Sequence, residues 1–171
     1  MDKAETFESI KRTYILSKTA AISLFAAVLV LTGSCIDNTV IHEYKHIGSD
    51  GWGRTDTLSY IIPKTKHHHG NFAFCTELRT NNSFNLKGVW IVRKLILHNP
   101  EHTATDSIYV NTTNAGFLPT GTGISLTTFS HTDTLNILKP GQYGTLQLYH
   151  VMTTEYLTNI QDVGAKIIRC D

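Results

Sequence analysis

QYGTLQLYHVM, Gln142 to Met152, is the stretch that decides the fold. Leu146, Leu148, His150 and Met152 share one parity; Tyr143, Thr145, Gln147, Tyr149 and Val151 share the other. Successive side chains of a strand point to opposite faces, so this alternation marks a strand with one face buried. Lys139-Pro140-Gly141 supplies the turn before it. A Pro-Gly turn leading into alternating apolars is the pattern of a β-sandwich strand. The same parity puts His150 on the apolar face. There a core histidine hydrogen-bonded to backbone is the expected reading. Copper ligation by His150 and Met152 is the chemical alternative, without a cysteine or second histidine placed nearby to complete it.

Outward from that strand the chain keeps the same period. In NFAFCTELRTNN, Asn71 to Asn82, Phe72, Phe74, Thr76 and Leu78 alternate with Ala73, Cys75, Glu77 and Arg79. GVWIVRKLIL, Gly88 to Leu97, is β-branched and aromatic, charged only at Arg93 and Lys94, and reads as a central strand. TLSYII, Thr57 to Ile62, is closed by Pro63, and GSDGWG, Gly48 to Gly53, is turn chemistry around Trp52. Ser107 to Val110, Ile124 to Phe129, Asp133 to Leu138 and Ala165 to Cys170 read as further short strands. Loops are expected over His98 to Asp106 and Asn111 to Gly123, and a loop or short helical turn over Thr153 to Gly164. At least seven short strands without a long helix predict an all-β antiparallel β-sandwich, immunoglobulin-like or jelly-roll-like, as one domain over residues 44–171.

Ahead of that domain lies TAAISLFAAVLVLTGSC, Thr19 to Cys35. Lys11, Arg12 and Lys18 precede an uncharged apolar run, and Thr32-Gly33-Ser34 follow it. This is the order of a secretory signal. The run is shorter than the ~20 residues that a membrane-spanning helix needs. Cys35, directly after the small residues, is the expected lipid acceptor of a lipoprotein signal peptide over residues 1–34. The usual Leu three residues before the cysteine is here Thr32, with Leu31 one place further out. An uncleaved anchor with a free thiol is the alternative. Residues 35–43 then form the lipidated cysteine and its tether.

Removing Met1 to Ser34 takes away four basic and three acidic residues of a chain with formal net charge +1, leaving the remainder near neutral. A neutral domain lacks the basic face that nucleic acid requires. The lipid bilayer, reached through Cys35, is the expected contact instead. With Cys35 lipidated, Cys75 and Cys170 remain, and an exported compartment is oxidising, so the pair is a candidate disulfide. Packed free thiols are the alternative. Neither cysteine has the His-Asp or His-Asn partners of a nucleophile.

All nine histidines fall after Cys35. His42 and His46 would share one face of a helix, but the segment also reads as extended. His67, His68 and His69 are consecutive, and neighbouring side chains diverge too much to chelate one ion well. No metal site is predicted.

An ordered set of landmarks runs along the chain. The expected lipidated cysteine is followed by Tyr44-Lys45, Ile47, Trp52, Asp56 and Leu58, then Leu78-Arg79 with Asn81-Asn82, Phe84 and Leu86. Asp106 and the Gly121 to Gly123 turn come next. Gly141-Gln142-Tyr143, His150, Met152, Leu157, Ile160 and Asp162-Val163-Gly164 close the series. This order resembles the GldH-type gliding-motility lipoprotein family of Bacteroidetes. The histidine-rich loop and Thr-rich middle depart from the family pattern. The resemblance implies an envelope lipoprotein with a structural or adaptor role in a motility or secretion assembly, with other envelope proteins as partners, no enzymatic activity and no cofactor. In such bacteria an acidic run after the cysteine sends lipoproteins to the surface. Asp37 alone favours the periplasmic side of the outer membrane.

The shared residues also have structural readings: Trp52 as an anchor, Arg79 paired with Asp56 or Asp162, Gly164 in a glycine-only conformation, and Asp162 capping a turn. A carbohydrate- or ligand-binding surface lipoprotein is the second reading. It calls for two or three exposed aromatics on one face, with Trp52, Tyr143 and Tyr149 as candidates. An enzyme is the third, without a Gly-x-Ser-x-Gly or His-Glu-x-x-His motif to support it.

Overall fold

The computed structural model describes residues 38–64, 71–113, 126–135, 138–139 and 141–170. Ten strands follow in order: β1 (Thr39–His46), β2 (Trp52–Gly53), β3 (Leu58–Ile62), β4 (Asn71–Asn81), β5 (Gly88–His98), β6 (His102–Asn111), β7 (Leu126–Leu135), β8 (Tyr143–His150), β9 (Tyr156–Leu157) and β10 (Ile160–Cys170). They form two four-stranded sheets, β1-β10-β4-β7 and β3-β8-β5-β6, with a small β2-β9 ladder beside them. Every pairing is antiparallel.

The pairings are nested. β5 pairs with β6, β4 with β7, β3 with β8, β2 with β9 and β1 with β10. The chain is therefore one long antiparallel hairpin, rolled until β10 meets β4 and β8 meets β5. That order is a jelly roll. The immunoglobulin arrangement, with strands A, B, E and D against C, F and G, does not fit it.

Alternation fills the space between the sheets. β4 turns Phe72, Phe74, Thr76, Leu78 and Thr80 inward, and β8 turns Leu146, Leu148 and His150 inward. β5 lies between β8 and β6, as its apolar composition predicts, and buries Val89, Ile91, Leu95 and Leu97. Each such fully buried side chain contributes about 1.5–3 kcal/mol. Tyr60 on β3 crosses the core to donate to the Val163 carbonyl of β10 at 2.7 Å, tying one sheet to the other.

Several boundaries differ from expectation. β1 begins at Thr39, inside the expected tether. Residues 102–106, expected as loop, are the first half of β6. β6 is an edge strand, and its Thr-rich outer positions face solvent, so no apolar alternation announces it. The segments expected as two strands across 124–138 share one strand, β7. β10 starts at Ile160, where a loop or helical turn is expected.

Candidate functional site

The residues singled out in the sequence separate into distinct places. Trp52 and His150 meet in the core at one end of the sandwich, both fully buried. Their rings pack edge to face at 5.3 Å. His150 Nε2 donates to the Trp52 carbonyl at 3.0 Å, while Nδ1 is buried without a hydrogen-bond partner. Burial pushes the imidazole pKa down, outweighing the carbonyl contact that favours the charged form. The core reading of His150 holds. Met152 Sδ takes the Trp90 backbone N–H at 3.4 Å. Asp56 folds the turn after Trp52: its carboxylate accepts the Gly53 N–H at 3.0 Å, and its carbonyl accepts Trp52 Nε1 at 3.2 Å. Trp52 is thus a core anchor, not an exposed aromatic.

Arg79, Gly164 and Asp162 come together on the outer face of the β1-β10-β4-β7 sheet. Arg79 lies 3.6 Å from the centre of the Tyr44 ring, a cation–π stack. No ion pair joins Arg79 to Asp56 or Asp162 among the described residues. Tyr44 OH donates to Glu77, which also contacts His42 at 3.2 Å. Burial and the Glu77 carboxylate push the Tyr44 pKa up to about 12. Burial would raise the Glu77 pKa, but the Tyr44 and His42 contacts outweigh it and hold the carboxyl below its ordinary value.

Gly164 has no left-handed φ, contrary to expectation. It is a glycine because a Cβ there would stand 2.6 Å from the Tyr44 ring. Asp162 lies within β10 and takes His46 Nδ1 at 3.1 Å, so it does not cap a turn.

Asn81 binds Asn159, which sits at φ 67° in the turn before β10. Asn82 is exposed in the turn after β4, and Tyr143 is exposed beside His98.

Cys75 and Cys170 are free thiols, which corrects the expected bridge. Cys75 lies opposite Lys166 and Cys170 opposite Asn71 on the β4-β10 ladder, four positions apart. Four positions span about 13 Å, beyond the roughly 7 Å limit for bridged Cα atoms. Burial pushes the Cys75 thiol pKa up, away from nucleophilic thiolate.

Sequence reasoning missed Arg93. It faces the core from β5 and is only 2 % exposed. It forks onto Asp106 of β6 and, at 2.7 Å through both terminal nitrogens, onto Asp133 of β7 in the other sheet. Burial alone would lower its pKa; the two carboxylates reverse that. Beside it an apolar cavity of about 230 Å³ is lined by Phe74, Leu95, Ala104 and Leu146. The available signal was one arginine inside an apolar strand with unpaired aspartates downstream.

Among the described residues no three His, Cys, Asp or Glu side chains converge as a metal site. His67, His68, His69 and Cys35 lie outside the described residues. No described helix is long and apolar enough to cross a membrane.

Among known proteins, the model of the GldH lipoprotein family matches residues 39–167, from the start of β1 into β10. No curated protein and no solved structure matches.

Proposed function

The chain belongs to the GldH lipoprotein family, and from that premise we propose that it is an adaptor of an envelope motility or secretion assembly. It is anchored by acyl chains on Cys35 and faces the periplasm from the outer membrane. The observation that carries this reading is the extent of the family match, which takes in both sheets of the jelly roll. A second observation supports a place for the protein contact. The Tyr44–Arg79–Glu77 cluster carries family-motif residues on the outer face of the β1-β10-β4-β7 sheet, with His42 and His46 exposed beside it. Rings and charges arranged this way suit recognition of a polar protein surface.

Co-purification from native membranes tests it. The wild-type chain should bring down a stoichiometric envelope protein, and Arg79→Ala should lose it while the lipidated chain stays in the membrane. Mass spectrometry should find a mature start at Cys35 bearing acyl chains. A chain that keeps Met1 to Ser34, or a pull-down indifferent to Arg79, would contradict the reading.

A further inference from the structure

The outer face of the β3-β8-β5-β6 sheet has a different chemistry. Trp90 and Tyr109 sit directly opposite each other on β5 and β6, 48 % and 37 % exposed, with ring centres 5.1 Å apart. Tyr149 on β8 flanks them, opposite Val92. Three aromatic rings thus come from three adjacent strands, about 10 Å across. Gly88 helps to seat them: a Cβ there would stand 2.3 Å from the Tyr109 ring, so that ring lies down on the sheet. Along β5, Lys94 shares this face, between Gln147 and Thr105. No carboxylate side chain points outward from the strands of this face, and no ion pair holds Lys94 among the described residues.

We propose that this face binds an acidic glycan, its sugar rings stacking on Trp90, Tyr109 and Tyr149 and its acid group meeting Lys94. A pyranose has an apolar C–H face and a hydroxyl edge. It therefore wants a flat ring with hydrogen-bonding side chains at its border. Ser107, Thr105 and Gln147 stand at that border. With no carboxylate pointing outward from these strands among the described residues, Lys94 sets the charge of the ligand. Trp90 and Lys94 are four positions apart on one strand, about 13 Å, room for roughly two sugar units between ring and charge. Of the aromatics that the sequence offered for a carbohydrate face, Tyr149 belongs to this cluster, whereas Trp52 is buried and Tyr143 lies against His98. This inference goes beyond the adaptor role and does not rest on it.

Tryptophan emission tests it in the protein purified from membranes in detergent micelles. The chain has two tryptophans, and Trp52 is buried, so a ligand-dependent change reports Trp90. The probes are a galacturonic acid hexamer and neutral cellohexaose at low salt. The acidic hexamer should give a saturable shift with an affinity about tenfold or more above the neutral one. Lys94→Gln should erase that preference, and Tyr109→Ala should weaken both probes about tenfold. If Tyr109→Ala fails to fold, Lys94→Gln decides alone. No saturable change with the acidic hexamer, equal affinity for the two probes, or a preference untouched by Lys94→Gln would overturn the proposal. So would cross-linking in native membranes that seats a protein on Trp90 in place of a glycan.

Discussion

The two sheets are built alike, yet their outer faces differ in kind. On the β1-β10-β4-β7 face, a cluster of polar groups is paired across neighbouring strands. Tyr44 and His42 meet Glu77, Arg79 covers Tyr44, and His46 meets Asp162. On the β3-β8-β5-β6 face, the rings of Trp90 and Tyr109 touch each other, and Lys94 has no ion partner among the described residues. The lesson is thermodynamic. Groups that complete one another contribute to folding, so changing them costs stability. A group left open contributes little to folding and is free to act on something else.

The largest effect is expected in neither face but in the interior they share. Asp133→Ala removes the carboxylate that carries Arg93 across to the other sheet and leaves that buried guanidinium with Asp106 alone. Both carboxylates are partly exposed, so the loss should be about 2–4 kcal/mol of unfolding free energy, somewhat less than for breaking a fully buried pair. Arg93→Met should cost less, because the stranded aspartates can reach water. Denaturant titration of both variants checks the order. The reverse order would mean that packing, not charge pairing, joins the sheets at this edge.

Next comes Gly164→Ala, which forces a methyl into the Tyr44 ring on the completed face. A loss of about 1–3 kcal/mol is expected from overpacking, and Tyr44→Ala in the same chain should relieve part of it. Without that relief, the Tyr44 ring is not what excludes a side chain at 164.

A smaller effect follows from His150. Its folded-state pKa lies below the ordinary value of 6.5, so the unfolded chain takes up the proton first as pH falls. The contribution of the neutral ring is fully present above the unfolded-state pKa and is lost as pH drops below it, by at most ~1.4 kcal/mol per pH unit. Unfolding midpoints between pH 8 and pH 5 should show this slope, and His150→Gln should flatten it. An unchanged slope in that variant would assign the effect to other groups.

Smallest of all is the expected cost of Cys75→Ser and Cys170→Ser. No bridge closes between these positions, so each change should cost only local packing, and thiol labelling of the unfolded, unreduced chain should find both free.

Much of this was legible in the sequence, and for a stated reason. Wherever one face is buried and the other wet, period two is visible, as in β4 and β8, and His150 was placed correctly by parity alone. What was hidden depends on partners distant in the chain. Arg93 looks like an interruption of an apolar strand until Asp106 and Asp133 are brought to it. Glycine at 164 suggested a backbone conformation, whereas the structure requires room for a ring from β1. The cysteine pair had the right count but the wrong register, which spacing in sequence cannot reveal. The jelly-roll order itself comes from nesting, a property of all the pairings together.

The contrast between the faces is tested most directly by neutralising one charge on each with an isostere. Glu77→Gln and Lys94→Gln should be compared by denaturant unfolding of the full-length protein at one pH, with the m-value as a check that only stability changes. Glu77 serves Tyr44 and His42, so its change should lower the unfolding free energy by about 1–2 kcal/mol. Lys94 should give a change within about 0.5 kcal/mol, as for a surface group without a folding role. Equal losses in the two variants, or a larger loss at Lys94, would contradict the account.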